Sequence, residues 1–310
     1  MDKILITGYS GFVGSHLLGA LDSLENVNLL GRAAPTKCNK HLKANIDAQS
    51  VYTSVLEQVD VVVHIAARVH VMSDNAANPL EEFRAVNTEG TLNLAKQAVA
   101  SGVKRFIFVS SIKVNGESTT DKEAFSSADK PNPVDPYGIS KAEAEEQLLA
   151  LAKETGLEVV IIRPPLVYGE GVKANFASLM KLVGKGLPLP FRAINRNRRS
   201  LVSVYNLVDL IKVCIDHPSA ANQTFLVSDD NDLSTAEMVA LMAKVQGKAN
   251  LSLPVPLFCF NLAGKVFGKQ SVVDRLVGSL QVDIEHTKST LNWQPPYSVE
   301  AGFKLSAHRA

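Results

Sequence analysis

Tyr137 and Lys141 stand four residues apart in Pro136-Tyr137-Gly138-Ile139-Ser140-Lys141. On a helix that spacing puts both side chains on one face. A tyrosine with an ordinary pKa of about 10 is a poor acid or base at neutral pH. A neighbouring ammonium stabilises the phenolate and lowers that pKa, as proton transfer requires. The pair by itself also describes an ordinary helix surface. A hydroxyl comes from earlier in the chain: Arg105-Phe106-Ile107-Phe108-Val109 reads as a strand running into Ser110-Ser111. Ser111 then lies at a strand's carboxyl end, where open α/β sheets place their ligands. It suits a helix or turn cap equally well.

Gly8-Tyr9-Ser10-Gly11-Phe12-Val13-Gly14 follows the apolar run Lys3-Ile4-Leu5-Ile6-Thr7 and precedes a helical pattern through Leu17, Leu18 and Leu21. Strand, glycine loop and helix form the context of a dinucleotide fingerprint. Gly8, Gly11 and Gly14 allow a tight turn and a close backbone approach to a pyrophosphate at the positive end of the helix. Val27-Asn28-Leu29-Leu30 reads as the second strand, ending at Gly31-Arg32. The residue there usually meets the adenosine ribose, and an acid would select NAD. Arg32 in its place leans toward NADP(H), with NAD(H) the alternative and a solvated turn arginine the plain one. Asp47 is a candidate for the adenine amino group. Ala66 and Ala67 end the strand at 59–67 and let the backbone lie flat against a cofactor.

These residues need a scaffold of alternating strands and helices. A helix capped by Asp135, with Pro136 in its first turn, should run to Gly156. Leu157 to Arg163 reads as another buried strand. The β-α repeat predicts an α/β fold with a doubly wound parallel (Rossmann) sheet. We read residues 1–166 as a dinucleotide-binding domain with a returning strand at 222–228, and 167–221 with 229–310 as a smaller, mostly helical substrate domain. Arg192, Arg196, Arg198 and Arg199 crowd one stretch, either as a solvated loop or as a second phosphate site.

The 310 residues are 46% hydrophobic and 20% charged, with a net charge of +1, which gives no general attraction to nucleic acid or acidic membranes. Cys38, Cys214 and Cys259 lack metal-ligand spacing and read as buried, reduced thiols, which fits a cytoplasmic setting. The seven histidines form no metal cluster, and His64 reads as a satisfied strand histidine. There is no signal-peptide pattern. The apolar segment 251–267, broken by Pro254, Pro256, Asn261 and Lys265, reads as a packed helix with its lead-in loop rather than a membrane span.

Thr7-Gly8-x-x-Gly11-Phe12-x-Gly14, His64-Ile65-Ala66-Ala67, Ser110-Ser111, Tyr137-x-x-x-Lys141 and Arg163-Pro164 fall in an order that resembles the extended short-chain dehydrogenase/reductase superfamily, in its nucleotide-sugar branch. The resemblance covers nearly the whole chain. It implies Ser111, Tyr137 and Lys141 as a catalytic triad, and adds Ser10, Phe12, Val13, Asn87 and Pro164 to the cofactor-binding set. It also implies Asn175 at a sugar-nucleotide diphosphate, residues 187–191, with Leu189, along the uracil, and Arg199 and Arg275 at phosphate. It implies a homodimer, and a structural role for the closing stretch 283–293. Ile112 and Lys113 replace the Asp-Glu pair of sugar 4,6-dehydratases, and Asn115 replaces a tyrosine usual in 4-epimerases. The pattern is most similar to a subgroup linked to polysaccharide biosynthesis.

The activity so implied is oxidoreductase chemistry at C4 of a UDP-sugar. The first expectation is reduction of a UDP-4-keto-6-deoxy-N-acetylhexosamine, with Tyr137 giving its proton to the carbonyl oxygen. The alternative is a UDP-hexose or UDP-N-acetylhexosamine 4-epimerase, an isomerase with tightly bound NAD. A minor alternative is a non-catalytic NADP-binding sensor.

Overall fold

The computed structural model describes residues 2–35, 38–69, 78–172 and 175–307, without the side chain of Asn175. Apolar runs without polar alternation must be covered on both faces, and they build one parallel sheet. Its strands are β1 (Ile4–Thr7), β2 (Val27–Leu30), β3 (Lys40–Leu42), β4 (Val61–His64), β5 (Arg105–Val109), β6 (Glu158–Arg163) and, after an excursion, β9 (Thr224–Leu226). The excursion contains the short parallel pair β7 (Leu166–Tyr168) and β8 (Leu201–Ser203). The order β3-β2-β1-β4-β5-β6-β9 makes the chain build outward from β1 and then cross back to β4. Thr7 and His64 are register partners at that reversal, the point where open α/β sheets hold ligands.

Alternate residues of each strand feed two cores. Leu5, Val62, Phe106, Phe108, Val159 and Ile161 pack on helices α4 (Thr91–Ala100) and α5 (Pro136–Thr155), which follow the shorter α1 (Phe12–Ala20), α2 (Thr53–Leu56) and α3 (Pro79–Arg84). Ile6, Leu29, Val63, Ile107, Val160 and Ile162 face the opposite core with Leu207, Leu210 and Ile211 of α7 (Val204–Asp216), which follows α6 (Asn175–Gly184). A third cluster joins α6 to α8 (Thr235–Val245) and α12 (Val299–Ala307) through Phe176, Met180, Met238, Met242 and Phe303. The doubly wound sheet with a smaller, mostly helical part is the predicted architecture.

Two expectations change. The segment 251–267 does form a helix, α9 (Leu257–Val266), followed by α10 (Gln270–Val277) and α11 (Glu285–Leu291), but much of its apolar face is exposed rather than packed. Of the cysteines only Cys214 is buried; Cys38 and Cys259 are half-buried, and all three are free thiols. Among the described residues no helix is long and apolar enough to cross a membrane, and no His/Cys/Asp/Glu group could hold a metal ion.

Candidate active site

The glycine loop is shaped by close backbone approach. Gly8 has φ +70°, and a Cβ there would meet Ala66 N at 2.6 Å. A Cβ on Gly14 would run into the Gly8 carbonyl oxygen. Thr7 Oγ1 accepts from Ala66 N at 3.1 Å and is hydrogen-bonded to His64 Nδ1 at 2.7 Å, while His64 Nε2 lies 2.9 Å from Thr91 Oγ1. Burial, reinforced by the Lys141 charge, pushes the His64 imidazole down to about 3, so it is the satisfied neutral histidine expected. Ser10 leads into Gly11, the N-cap of α1, whose N–H donates to the Gly8 carbonyl at 2.9 Å. Phe12 and Val13 open the helix with no side-chain cap, leaving the backbone N–H groups of that first turn to an anion. Gly8 and Gly14 let the turn pack directly on Ala66 and on the Gly8 carbonyl, and the uncapped helix start so positioned fits a dinucleotide pyrophosphate. Tyr9 turns away from it, lies against Gly31 and hydrogen-bonds the Ala33 carbonyl. Arg32 is exposed just beyond. Asp47 Oδ1 accepts from Gln49 N and Ser50 N at 3.0 and 2.7 Å. Asn87, in a π-helical turn (Ala85–Gly90), donates to the Arg68 carbonyl and to Ser140 Oγ and accepts from Arg68 N, so it fastens the segment after β4 to α5.

Helix α5 delivers Tyr137 and Lys141 to the carboxyl end of β5. Asp135 caps it through Gly138 N at 2.7 Å, and the other Asp135 oxygen pairs with Lys113 Nζ. Ser111 caps the short 3₁₀ turn Ile112–Val114 that holds Lys113. Lys113 therefore clamps the Ser111 turn onto the head of α5, and Gly138 permits the approach, since a Cβ there would sit 2.9 Å from the Lys113 carbonyl oxygen. Ser111 lies close enough to act on the Tyr137 hydroxyl as a hydrogen-bond partner, so two of the three predicted residues meet at the head of α5, whereas the Lys141 side chain, one turn on, turns to β5.

The electrostatics differ from the sequence expectation. Tyr137 is pushed up to about 12 by burial and the Asp135 carboxylate, against the opposing hydrogen bond from Ser111. Lys141, 1% exposed, is pushed down to about 7 by burial, with Glu145 opposing. Its Nζ donates to the Val109 carbonyl at 2.9 Å and sits 4.3 Å above the Phe108 ring. In this arrangement the amine is spent on β5, and the phenol is held protonated.

Sequence reasoning missed what stands behind this face. Glu145, one turn beyond Lys141, pairs with Arg163 at 2.5 Å with both side chains buried, and accepts from Ser110 Oγ. Arg163 also donates to Asn115 Oδ1 at 2.9 Å, and Asn115 donates to the Ser126 carbonyl. The i, i+4 spacing of Lys141 and Glu145 was a visible signal for one member; the Asn115 and Lys113 partnerships are long-range and left none. Pro164, just after β6, has its carbonyl bonded to Ile112 N.

In the second half, burial, with the like charge of Arg275 nearby, lowers the Arg199 pKa. Arg199 donates to the Arg275 and Gly278 carbonyls. Leu189 bridges in parallel to Ser252. Asn175 opens α6, and its side chain lies outside the described residues. Trp293 is buried and donates to Asp209 at 2.8 Å.

Comparison with known proteins gives concordant results. The profile described as "NAD dependent epimerase/dehydratase family" matches residues 4–228. A UDP-glucose 4-epimerase of Vibrio cholerae is 56% identical, over 98% of this chain and 94% of that protein. Two solved structures share the fold: UDP-glucose 4-epimerase with UDP-glucose from Thermotoga maritima (TM-score 0.76, 22% identity, 99% and 97% of the two chains) and UDP-glucuronic acid 4-epimerase from Bacillus cereus with NAD (TM-score 0.78, 19% identity, 99% and 97%). These findings overturn the expectation of NADP(H), since both the family description and the Bacillus cereus complex name NAD. The physical reason is that an exposed guanidinium such as Arg32 can stay in solvent, neither requiring a 2′-phosphate nor excluding a 2′-hydroxyl. The chain belongs to the NAD dependent epimerase/dehydratase family.

Proposed function

We propose that this protein is an NAD-dependent 4-epimerase of a UDP-hexose or UDP-N-acetylhexosamine. The observation that carries the reading is the 56% identity, over nearly the full length, to the Vibrio cholerae protein named UDP-glucose 4-epimerase. The bare glycine cradle at Gly8, Gly11 and Gly14 and the backbone at Ala66 and Ala67 would hold the dinucleotide, which supplies reversible hydride exchange with the sugar carbon when bound. Tyr137, once in its phenolate form, takes the proton from the C4 hydroxyl and later returns it to the same oxygen. Ser111 hydrogen-bonds that oxygen and fixes its distance from Tyr137. Lys141 is the buried amine on the Tyr137 face of α5; in its charged form it favours the phenolate, which couples the two titrations. Arg199 and Arg275 neutralise the sugar-nucleotide diphosphate, with residues 187–191 beside the base.

Net reduction of a 4-keto sugar has less support, because Arg32 was the feature that favoured it. The test is to incubate purified protein, without added cofactor, with UDP-glucose, UDP-N-acetylglucosamine and their C4 epimers. Interconversion with no net change in nicotinamide absorbance is expected. Stoichiometric consumption of NADH or NADPH by a 4-keto sugar, with no interconversion, would overturn the proposal.

A further inference from the structure

The overall charge of +1 conceals a strong asymmetry. Residues 171–208 contain seven Lys and Arg and no Asp or Glu, and residues 238–273 contain four Lys and no Asp or Glu. The Leu189–Ser252 bridge joins these two acid-free segments in space. Arg198 and Lys244 pair with Glu237 and Glu300 from outside them, and the charge at α9 comes from Lys265 and Lys269. Helix α9 lies in the second. Phe260 on its inner side stacks against Phe191 at 6.2 Å, and Gly264 one turn on lets α10 approach. The other side bears Phe258, Leu262 and Val266, spaced i, i+4 and i+8, which are 70%, 61% and 69% exposed. Phe267, 74% exposed, extends the surface beyond the helix, and Leu257 extends it at the helix start. Lys265 and Lys269 flank it, and both are exposed.

An apolar stripe of this size is costly to leave in water and marks an interaction surface. Its setting selects the occupant. A second copy meeting it across a two-fold axis would bring the lysines of both copies together with no carboxylate in either segment. A nucleic acid would satisfy the lysines but leave Leu262 and Val266 without apolar cover. An anionic bilayer surface satisfies both, with acyl chains receiving the apolar side chains and headgroups receiving the ammonium groups. We infer that the outer face of α9, with Phe267, Lys265 and Lys269, docks the protein reversibly onto an anionic membrane surface without spanning it. α10, which follows at once and carries Arg275, ties this face to the candidate diphosphate site. The inference does not depend on which sugar nucleotide is used.

The test is flotation of the full-length protein with phosphatidylcholine vesicles, with and without phosphatidylglycerol, in low salt. Binding should require phosphatidylglycerol and be released by salt at about 0.5 M. Phe258→Ser with Leu262→Ser should weaken partitioning on the order of tenfold or more, because two large apolar side chains lose their burial. Lys265→Glu with Lys269→Glu should weaken it to a similar extent. Sugar-nucleotide turnover in vesicle-free solution should be unchanged in both variants, showing intact folding. Failure of the wild type to float with anionic vesicles would overturn the inference. So would binding insensitive to the serine pair, or a sedimentation shift in which that pair dissociates a dimer that does not bind vesicles.

Discussion

At Tyr137 a phenol is held near 12 by burial and Asp135, and one turn along the same helix the Lys141 amine is held near 7 by burial, protonation preferences the four-residue spacing could not forecast. The spacing gave the shared face, but the dielectric around that face comes from β5 and β6. Tyr137→Phe should lower kcat by about 10²–10⁴-fold while UDP-sugar binding by calorimetry stays near normal. Lys141 has a consequence for stability. Its folded pKa, about 7, lies below the ordinary 10.5, so below pH 7 both states carry the charge and the folded state bears its full burial cost. Between about 7 and 10.5 the unfolded chain binds the extra proton, so stability rises with pH across that window. Lys141→Met should remove this rise: relative to wild type its melting temperature should be highest at pH 6, with the difference shrinking toward pH 10. The change across the window should be on the order of a few kcal/mol.

At the scale of elements, the site depends on how α5, the Ser111 turn and β6 are fastened together. The ends of α5 were visible in Asp135-Pro136 and Gly156 because caps are local chemistry. The clamp from Lys113 to Asp135 was not, because it closes 22 positions of chain. Removing one member of the buried Glu145–Arg163 pair leaves a charge without its partner. Arg163→Met should cost about 3–5 kcal/mol in urea unfolding, and adding Glu145→Leu should recover part of it. Ile112, Lys113 and Asn115 were set apart in the sequence as departures from the usual family pattern. The structure gives Lys113 and Asn115 positioning contacts, so the pattern at these places reflects how the turn is held. Gly14→Ala should push the α1 turn off the Gly8 carbonyl and weaken NAD binding, measured by calorimetry, by about tenfold.

Across the whole molecule, the sheet presents its carboxyl ends to one side, and the second half brings Arg199 beside Arg275 from distant parts of the chain, the pair proposed for the diphosphate. Arg199→Ala should weaken UDP binding by about tenfold or more, with a flatter salt dependence, because a charge-assisted contact to phosphate is lost. Composition averaged over 310 residues gave a nearly neutral protein, whereas the fold gathers acid-free basic segments around the exposed α9. The apolar run at 251–267 looked packed because hydropathy reports what a segment would bury and is silent on whether a partner lies within the same chain. By itself the sequence determined the parallel sheet, the glycine turn, the limits of α5 and the family, since periodicity, caps and motif order are written over a few neighbouring residues. Only the tertiary structure decided the protonation preferences of Tyr137 and Lys141, the Lys113 and Arg163 partnerships and the exposure of α9. Each of these depends on which distant groups surround a side chain, and burial and Coulomb energies are set by that surrounding.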